Sequence, residues 1–181
     1  MHLHALQIVA DELGYLIDLF GKIDLVLVNA GLFRMNTIDA VGLDELDSML
    51  AVNVRGVYLS IQAAAPHIVD GGRIVTISSN VAIRTGFPGS SVYQMTKGAV
   101  AAMVKGVALD LAPRRITVNN IQPGPTDTDI NAGSIDMLSQ MSPLKRVAKP
   151  EEIAGLVSYL AREEARYMTG ASLTIDGGFT L

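Results

Sequence analysis

Four short runs, predicted as strands, alternate with longer segments of helical periodicity, and turn-forming residues follow each run. The runs are residues 23–28, 73–78, 116–121 and 172–175. The first run is mostly apolar and ends at a turn, which is typical of a strand that is buried on both faces. Helices between successive strands favour parallel pairing through right-handed crossovers. The alternation therefore predicts an α/β fold with a parallel sheet.

The segments between the runs differ in pattern and length. The predicted helices are residues 3–20, 43–69, 91–112 and 150–162. Gly71-Gly72 predicts a turn before the second strand. Residues 126–148 lack periodicity and contain Asn, Gly, Ser and Pro, so we interpret them as an irregular lid loop. We expect residues 1–181 to form a single domain with this lid inside it.

Composition excludes several classes of function. Apolar residues make up 49% of the 181 residues, the net charge is −4, and no basic run occurs, so we expect no nucleic-acid partner. No apolar stretch is long enough to span a membrane, and no secretion signal opens the chain, so we expect a cytoplasmic protein. The chain has no Cys, and its three His residues are scattered, so we expect no metal site.

Tyr93 and Lys97 are four residues apart on a predicted helix, which places both side chains on one face. A phenol has a pKa near 10, and about 4 kcal/mol is needed to lower it to 7. An ammonium about 5 Å away supplies roughly 3 kcal/mol at an effective dielectric constant near 20. Ser79 could orient an oxygen for the phenol. The same spacing also occurs on ordinary half-buried helix faces, where a Lys snorkels to solvent.

Several polar or turn-forming residues lie where predicted strands end. Asn29-Ala30-Gly31, Ser79 and Pro123-Gly124 each follow a strand. Ligands of open parallel sheets bind beyond the carboxyl ends of the strands. We therefore expect these residues to lie near one another at one edge of the sheet.

Seven short motifs occur in an order and spacing that resemble those of the short-chain dehydrogenase/reductase family. They are Asn29-Ala30-Gly31, Asn53-Val54-Arg55-Gly56, Ile77-Ser78-Ser79, Tyr93-Gln94-Met95-Thr96-Lys97, Pro123-Gly124-Pro125-Thr126-Asp127-Thr128, Tyr167-Met168-Thr169-Gly170 and Ile175-Asp176-Gly177-Gly178. The resemblance covers essentially the whole chain. It implies a Rossmann-like doubly wound parallel sheet that lacks the family's first βαβαβ portion.

The resemblance also implies roles for single residues. Tyr93 would be the general acid/base, and Ser79 would hold the substrate oxygen. Lys97 would lower the Tyr93 pKa and bind the nicotinamide ribose. Asn53 would kink its helix and hold a water connected to Lys97. The residues implied to contact the cofactor are Asn29, Ala30, Gly31, Tyr93, Lys97, Pro123, Gly124, Thr126 and Thr128.

The implied reaction is reversible hydride transfer between NAD or NADP and a carbonyl/alcohol pair. No Gly-x-x-x-Gly-x-Gly motif precedes Gly31, although family members use one to seat the pyrophosphate. We therefore expect weak or absent binding of the cofactor by this chain, and an open sheet edge at residues 23–28. A truncated chain without activity is an alternative.

The resemblance further implies a homodimer or homotetramer built on the helices at 43–69 and 91–112. For the substrate, we expect a largely apolar pocket with one anion contact at Arg84. Its predicted lining is Ile83, Arg84, Phe87, Met137, Leu138 and Met141. Ordinary packing of the loop explains these residues equally well.

Two other functions are open from the sequence. Asp127-Thr128-Asp129 resembles the metal motif of nucleotide-sugar transferases, although N-capping of a helix suits it better. The segment 122–129 and the loop after Ser79 resemble bacterial family members described as cyclic-di-GMP-binding biofilm-dispersal mediators. That resemblance suggests a non-catalytic nucleotide-binding protein on the same scaffold.

Overall fold

The structure, a computed structural model, describes residues 14–15, 17–19 and 21–181. In this part of the chain four strands form a parallel sheet in the order β1-β2-β3-β4. The strands are β1 (Ile23–Val28), β2 (Ile68–Ile77), β3 (Thr117–Pro123) and β4 (Ser172–Ile175). The prediction of a parallel α/β sheet is confirmed.

Helices connect successive strands, as the periodicity predicts. The α-helices are α1 (Leu43–Leu50), α2 (Val57–Ala64), α3 (Ser91–Leu111), α4 (Ile135–Met141) and α5 (Pro150–Leu160). A π-helical turn, Ala51–Gly56, joins α1 to α2 and makes them one continuous helical segment. Residues 14–15 and 17–19 are helical, and the rest of the predicted helix at 3–20 lies outside the described residues.

The second strand begins earlier than the sequence predicts. Pro66 has no N–H to continue an α-helix, so the helical segment ends in a 3₁₀ turn at Ala65–His67 and β2 begins at Ile68. Gly71-Gly72 does not reverse the chain. It lies inside β2, where the pairing with β1 changes register. A Cβ on Gly72 would lie 2.4 Å from Ile68 Cγ2, so this close approach requires glycine.

The segment 126–148 is not wholly irregular, because it contains helix α4. Leu138 of α4 is buried, and this tertiary burial favours a helix that the short local pattern does not reveal. Whether the segment moves as a lid stays a prediction.

Two apolar clusters lie on opposite faces of the sheet, which is therefore the middle of three layers. The first cluster joins Ile74 and Val118 of the sheet to side chains of α2 and α3. The second joins Val75 and Ile121 to α5. Because successive residues of a strand point to opposite faces, Ile74 and Val75 supply one cluster each.

The strand β1 lies at one edge of the sheet. Among the described residues, β2 is its strand neighbour and no strand pairs with its other side. Leu25 and Leu27 are 36% and 45% exposed, which is high for apolar residues of a strand in an α/β sheet. The predicted open edge is therefore present in the described part of the chain.

The turn after β3 approaches the turn after β4 so closely that it requires Gly124. A Cβ on Gly124 would lie 2.6 Å from both Cα and Cβ of Asp176. The Gly124 N–H also donates a 2.9 Å hydrogen bond to the Ile175 carbonyl, so the two turns cannot separate without losing this bond.

We expect Gly124→Ala to lower the free energy of unfolding by about 3 kcal/mol, because the new methyl group overlaps backbone atoms. Gly155→Ala is the matched control, since Gly155 lies in α5 with open space around it. Ala has the higher helix propensity, so this control should raise stability by about 1 kcal/mol. Unfolding in urea measures both variants, and equal shifts of the same sign would contradict the close-approach argument.

Candidate active site

A cavity of about 690 Å³ opens at the carboxyl ends of β1, β2 and β3. Ten residues predicted as site residues line it: Asn29, Ala30, Gly31, Ser79, Tyr93, Lys97, Pro123, Gly124, Thr126 and Thr128. They come from four separate parts of the sequence, and the parallel sheet brings them to one edge. Asn53, the remaining predicted residue, is buried behind the cavity lining.

Ser79 follows β2 and caps the short 3₁₀ helix at Asn80–Ala82. Its hydroxyl oxygen accepts a 3.3 Å hydrogen bond from the Val81 N–H. It also lies 3.4 Å from Oδ1 of Asn80, which accepts its proton. These contacts hold the Ser79 side chain at the start of the loop that follows β2, next to Tyr93.

Tyr93 lies in the first turn of α3, and its ring packs edge-on against Phe33 at a centroid distance of 4.9 Å. Burial raises the pKa of Tyr93, and a hydrogen bond with Ser79 offsets only part of the increase. The expected lowering of the Tyr93 pKa by Lys97 is therefore not seen in the chain alone. The prediction counted the charge of the ammonium but not the desolvation of the phenolate.

Lys97 is buried, with only 4% of its surface exposed. Its ammonium donates a 3.2 Å hydrogen bond to the Ile77 carbonyl and lies 5.6 Å from the centroid of the Tyr93 ring. Burial lowers the pKa of Lys97 to about 8. A Cβ on Gly31 would lie 3.2 Å from the Lys97 Nζ, so the turn after β1 passes close to the ammonium.

Asn53 lies in the π-helical turn between α1 and α2, and the kink implied for its helix stays a prediction. Its Oδ1 accepts a 2.7 Å hydrogen bond from the Leu32 N–H, and its Nδ2 donates to the Leu32 carbonyl at 2.8 Å. Nδ2 also donates to the Thr96 hydroxyl at 3.1 Å. Both amide hydrogens are thus used, so the predicted water would have to bind Oδ1 or the Asn53 backbone.

The turn after β3 carries the two predicted threonines. The Thr126 hydroxyl donates to the Gly124 carbonyl at 3.0 Å, and the Thr128 hydroxyl donates to the Thr126 carbonyl at 3.4 Å. The segment is tied down further along, because the Asp127 N–H donates to the Ala148 carbonyl at 2.8 Å. Both threonines therefore lie on an ordered turn that faces the cavity.

Four residues that the sequence analysis did not assign to the site support it. The buried Ser78 hydroxyl donates to the Lys97 carbonyl at 2.9 Å, and the Thr96 hydroxyl donates to the Tyr93 carbonyl at 2.8 Å. Phe33 contacts the Tyr93 ring, and Asp176 accepts from the Asn80 amide at 3.4 Å. Ser78 and Thr96 adjoin predicted residues, which was the only local signal for them.

The predicted apolar pocket is present only in part. Phe87 and Leu138 line the cavity, whereas Ile83, Met137 and Met141 are not part of its lining. The guanidinium of Arg84 donates to the Leu181 carbonyl and does not line the cavity. The expected anion contact at Arg84 is thus not supported.

Asp127 and Asp129, the two carboxylates of the alternative metal motif, lie in different environments. Asp129 lines the cavity, while the backbone of Asp127 pairs with Ala148. Among the described residues, no three His, Cys, Asp or Glu side chains come together in a way that could hold a metal ion.

Comparison with known proteins identifies the family. A family model described as enoyl-(acyl carrier protein) reductase matches residues 9–180. The chain is 39% identical to the cyclic-di-GMP-binding biofilm dispersal mediator protein of Escherichia coli, over 88% of this chain and 68% of the relative. It is 36% identical to the trans-4-hydroxycyclohexanecarboxylate dehydrogenase of Sinomonas cyclohexanicum, over 92% of this chain and 64% of the relative.

Solved structures agree with these relatives. A short-chain dehydrogenase/reductase from Serratia marcescens superposes with a TM-score of 0.91 at 47% identity. A short-chain dehydrogenase from Burkholderia cenocepacia in complex with NADP also gives a TM-score of 0.91, at 38% identity. Each superposition covers 96% of this chain and 72% of the solved chain. The chain belongs to the short-chain dehydrogenase/reductase family.

The family assignment confirms the resemblance seen in the motifs and the Rossmann-like class of the sheet. The chain spans about two thirds of the length of the curated relatives that it matches. A short-chain dehydrogenase/reductase is an oxidoreductase that uses a nicotinamide cofactor. No described helix of this member is long and apolar enough to cross a membrane.

The buried ammonium of Lys97 should reduce the stability of the fold. Its pKa is about 8 in the folded chain, against an ordinary value of 10.5, so the unfolded chain binds more protons between these values. The contribution of Lys97 to stability is therefore most unfavourable below pH 8, and this penalty shrinks as the pH increases toward 10.5. We expect Lys97→Met to stabilise the chain by about 2 kcal/mol at pH 7, after the loss of one hydrogen bond.

The control is Lys105→Met, which changes an exposed Lys on the same helix and should leave stability within about 0.5 kcal/mol. Urea unfolding at pH 7 and at pH 10.5 measures both variants, and the gain from Lys97→Met should shrink at the higher pH. A Lys97→Met variant that is less stable than the parent at pH 7 would overturn the burial argument.

Proposed function

We propose that this chain carries the proton-transfer site of an NAD(P)-dependent oxidoreductase that interconverts a carbonyl and an alcohol. The observation that supports this proposal is the meeting of Ser79, Tyr93 and Lys97 in one cavity at the carboxyl ends of the strands. A phenol, a hydroxyl and an ammonium that line one cavity form a set that can orient a carbonyl oxygen and move its proton.

The cavity fits the nicotinamide end of a dinucleotide. The backbone of Asn29 to Gly31 lines one side, and a side chain at Gly31 would crowd the Lys97 ammonium at 3.2 Å. Thr126 and Thr128 line the other side and would bind the nicotinamide amide or the pyrophosphate. The cofactor, when bound, supplies or accepts the hydride. The similar Burkholderia protein was solved in complex with NADP, which supports a nicotinamide cofactor for this chain.

Tyr93 would act as the general acid when a carbonyl is reduced. Burial raises its pKa, so the phenol is protonated at neutral pH and has a proton to give to the substrate oxygen. For the reverse reaction the phenolate is needed, and burial disfavours it.

Ser79 and Lys97 would position the reacting groups. The Ser79 hydroxyl interacts with Tyr93 and can donate to the same substrate oxygen, which fixes that oxygen between the two. The Lys97 ammonium, 5.6 Å from the ring centroid, can bind the ribose hydroxyls and stabilise a phenolate when one forms. Asn53 would act through Leu32 and Thr96, which it holds in place.

The geometry supports a dehydrogenase better than a cyclic-di-GMP receptor. The charged side chains among the described residues that line the cavity are Lys97 and Asp129. A cyclic dinucleotide carries two phosphate charges, and such ligands are ordinarily bound by several Arg or Lys side chains.

Exposed apolar side chains fit the expected oligomer. Tyr58 on α2 and Met95 and Leu109 on α3 are 48%, 49% and 77% exposed. Both helices belong to the pair from which the sequence resemblance implies a dimer interface. We propose that the protein forms a homodimer or homotetramer. We also expect a cytoplasmic location.

The proton-transfer role is tested by Tyr93→Phe, which removes the hydroxyl and keeps the ring. With NADPH in large excess and a panel of simple ketones, we expect reduction to fall by about 10² to 10⁴, because the general acid is lost. Tyr167→Phe removes a hydroxyl from a fully exposed ring outside the cavity lining and should leave the rate unchanged. Retention of full activity by Tyr93→Phe would contradict the proposal.

The affinity of the chain for the cofactor needs a test separate from that of proton transfer. The sequence has no Gly-x-x-x-Gly-x-Gly segment before Gly31. Because that segment holds the pyrophosphate in this fold, we expect a dissociation constant for NADH and NADPH well above about 1 μM. Titration by calorimetry measures it, with Lys97→Met as a second sample that should bind still more weakly. Micromolar binding by the parent chain would refute this expectation.

A further inference from the structure

Residues 176–181 fold back from the end of β4 and form part of the cavity wall. The reversal occurs at Gly177 and Gly178, whose φ angles of 64° and 83° lie in the left-handed region. Phe179 lines the cavity together with Ser79 and Tyr93. The segment therefore places an aromatic ring in the same cavity as the proposed proton donor.

Asp176 fastens this segment through its carboxylate. It accepts hydrogen bonds from the Gly178 N–H at 3.0 Å, the Thr180 N–H at 3.0 Å and the Thr180 hydroxyl at 2.8 Å. Burial raises the pKa of Asp176, but the hydrogen bonds from Thr180, Gly178 and Asn80 outweigh it, and the pKa lies below its ordinary value. The carboxylate is thus ionised at neutral pH and holds the turn through charge-assisted bonds.

The loop after Ser79 is joined to the same segment at three points. The Asn80 amide donates to Asp176 at 3.4 Å, and the Arg84 guanidinium donates to the Leu181 carbonyl. The third contact is the stacking of the Phe87 and Phe179 rings, with centroids 6.5 Å apart and planes inclined by 27°. Two segments far apart in sequence thus hold two stacked rings in the cavity that Ser79 also lines.

The chemistry of the cavity restricts what can lie against these rings. Phe87, Phe179 and Leu138 are among its apolar lining residues. The charged side chains among the described lining residues are Lys97 and Asp129. Lys97 already serves the proposed proton transfer, so the charge that the rest of a substrate would meet is that of Asp129. Its carboxylate would repel an anionic substrate. Flat aromatic surfaces favour planar rings, which stack on them and lose little conformational entropy on binding.

We propose that Phe87 and Phe179, the aromatic wall, select uncharged planar ring ketones and the corresponding alcohols over flexible or anionic substrates. The interpretation of this preference as substrate selection rests on the proposed function. The binding preference itself can be measured without the cofactor and without turnover. The wall is a specificity device, because it touches the substrate body rather than the reacting oxygen.

The test measures binding of ketones to the chain by ligand-observed NMR titration without cofactor. The probes are 1-indanone, its 5-carboxylate derivative, and 2-nonanone, a flexible ketone with the same number of carbons as 1-indanone. The parent chain should bind 1-indanone most tightly. Phe179→Ala should weaken 1-indanone by roughly tenfold and 2-nonanone by no more than about twofold, because only the planar ring stacks on the wall.

Two variants serve as controls, and circular dichroism confirms that each variant is folded. Phe179→Tyr keeps the ring and should retain the preference for 1-indanone. Tyr167→Ala removes a fully exposed aromatic ring that does not line the cavity, and should change no affinity. No binding of 1-indanone by the parent chain, equal weakening of both ketones by Phe179→Ala, or tightest binding of the carboxylate would each overturn the proposal.

The same samples separate this inference from the proposed function. Tyr93→Phe should bind 1-indanone nearly as well as the parent chain, because the wall is intact, while reduction by NADPH is lost. A planar preference that depends on Phe179, found together with no reductase activity in the parent chain, would refute the oxidoreductase and leave the wall standing. Reductase activity on 2-nonanone and 1-indanone alike, unaffected by Phe179→Ala, would refute the wall and leave the oxidoreductase standing.

Discussion

The amide of Asn53 is the contact on which the arrangement of the site depends. It binds the N–H and the carbonyl of Leu32 together, and it also reaches the hydroxyl of Thr96. Leu32 follows the turn at Gly31, and Thr96 precedes Lys97. An amide side chain can donate and accept at once, which a carboxylate or an ammonium cannot do at neutral pH. The π-helical turn around Asn53 is the kind of irregularity that often accompanies a functional residue.

The buried position of Lys97, in contrast, lowers the stability of the fold. Burying an ammonium disfavours its charged form, and the lowered pKa records that cost. The surrounding chain nevertheless keeps it buried, through the Ser78 hydroxyl on its backbone and the missing side chain at Gly31. A charged side chain that is buried at a cost in stability and is held there by its neighbours is best explained by a role in catalysis.

Local pattern sufficed for β1 and β4, whose observed bounds equal the predicted ones, because their apolar runs end at clear turns. It was insufficient at two places. Pro66 ends the helical segment earlier than predicted, so β2 begins at Ile68, and α4 depends on the tertiary burial of Leu138. The cavity lining was predictable because parallel strands end at one edge. The pKa of Tyr93 was not, because desolvation depends on packing that a sequence does not display.

The two halves of the proposed reaction draw on different but overlapping parts of the sheet. The contacts that hold Ser79, Tyr93 and Lys97 come from the 3₁₀ helix at Asn80–Ala82, from Thr96 of α3 and from Ile77 of β2. The turn from Asn29 to Gly31, on the side of the cofactor, instead leaves β1, whose outer edge has no strand partner among the described residues. Leu27 of that strand lines the cavity and is half exposed. Phe33, which follows the same turn, packs on the Tyr93 ring, and Gly31 lies close to the Lys97 ammonium. The turn after β1 is therefore shared by the seat of the cofactor and the proton-transfer groups, so both depend on the order of the edge strand.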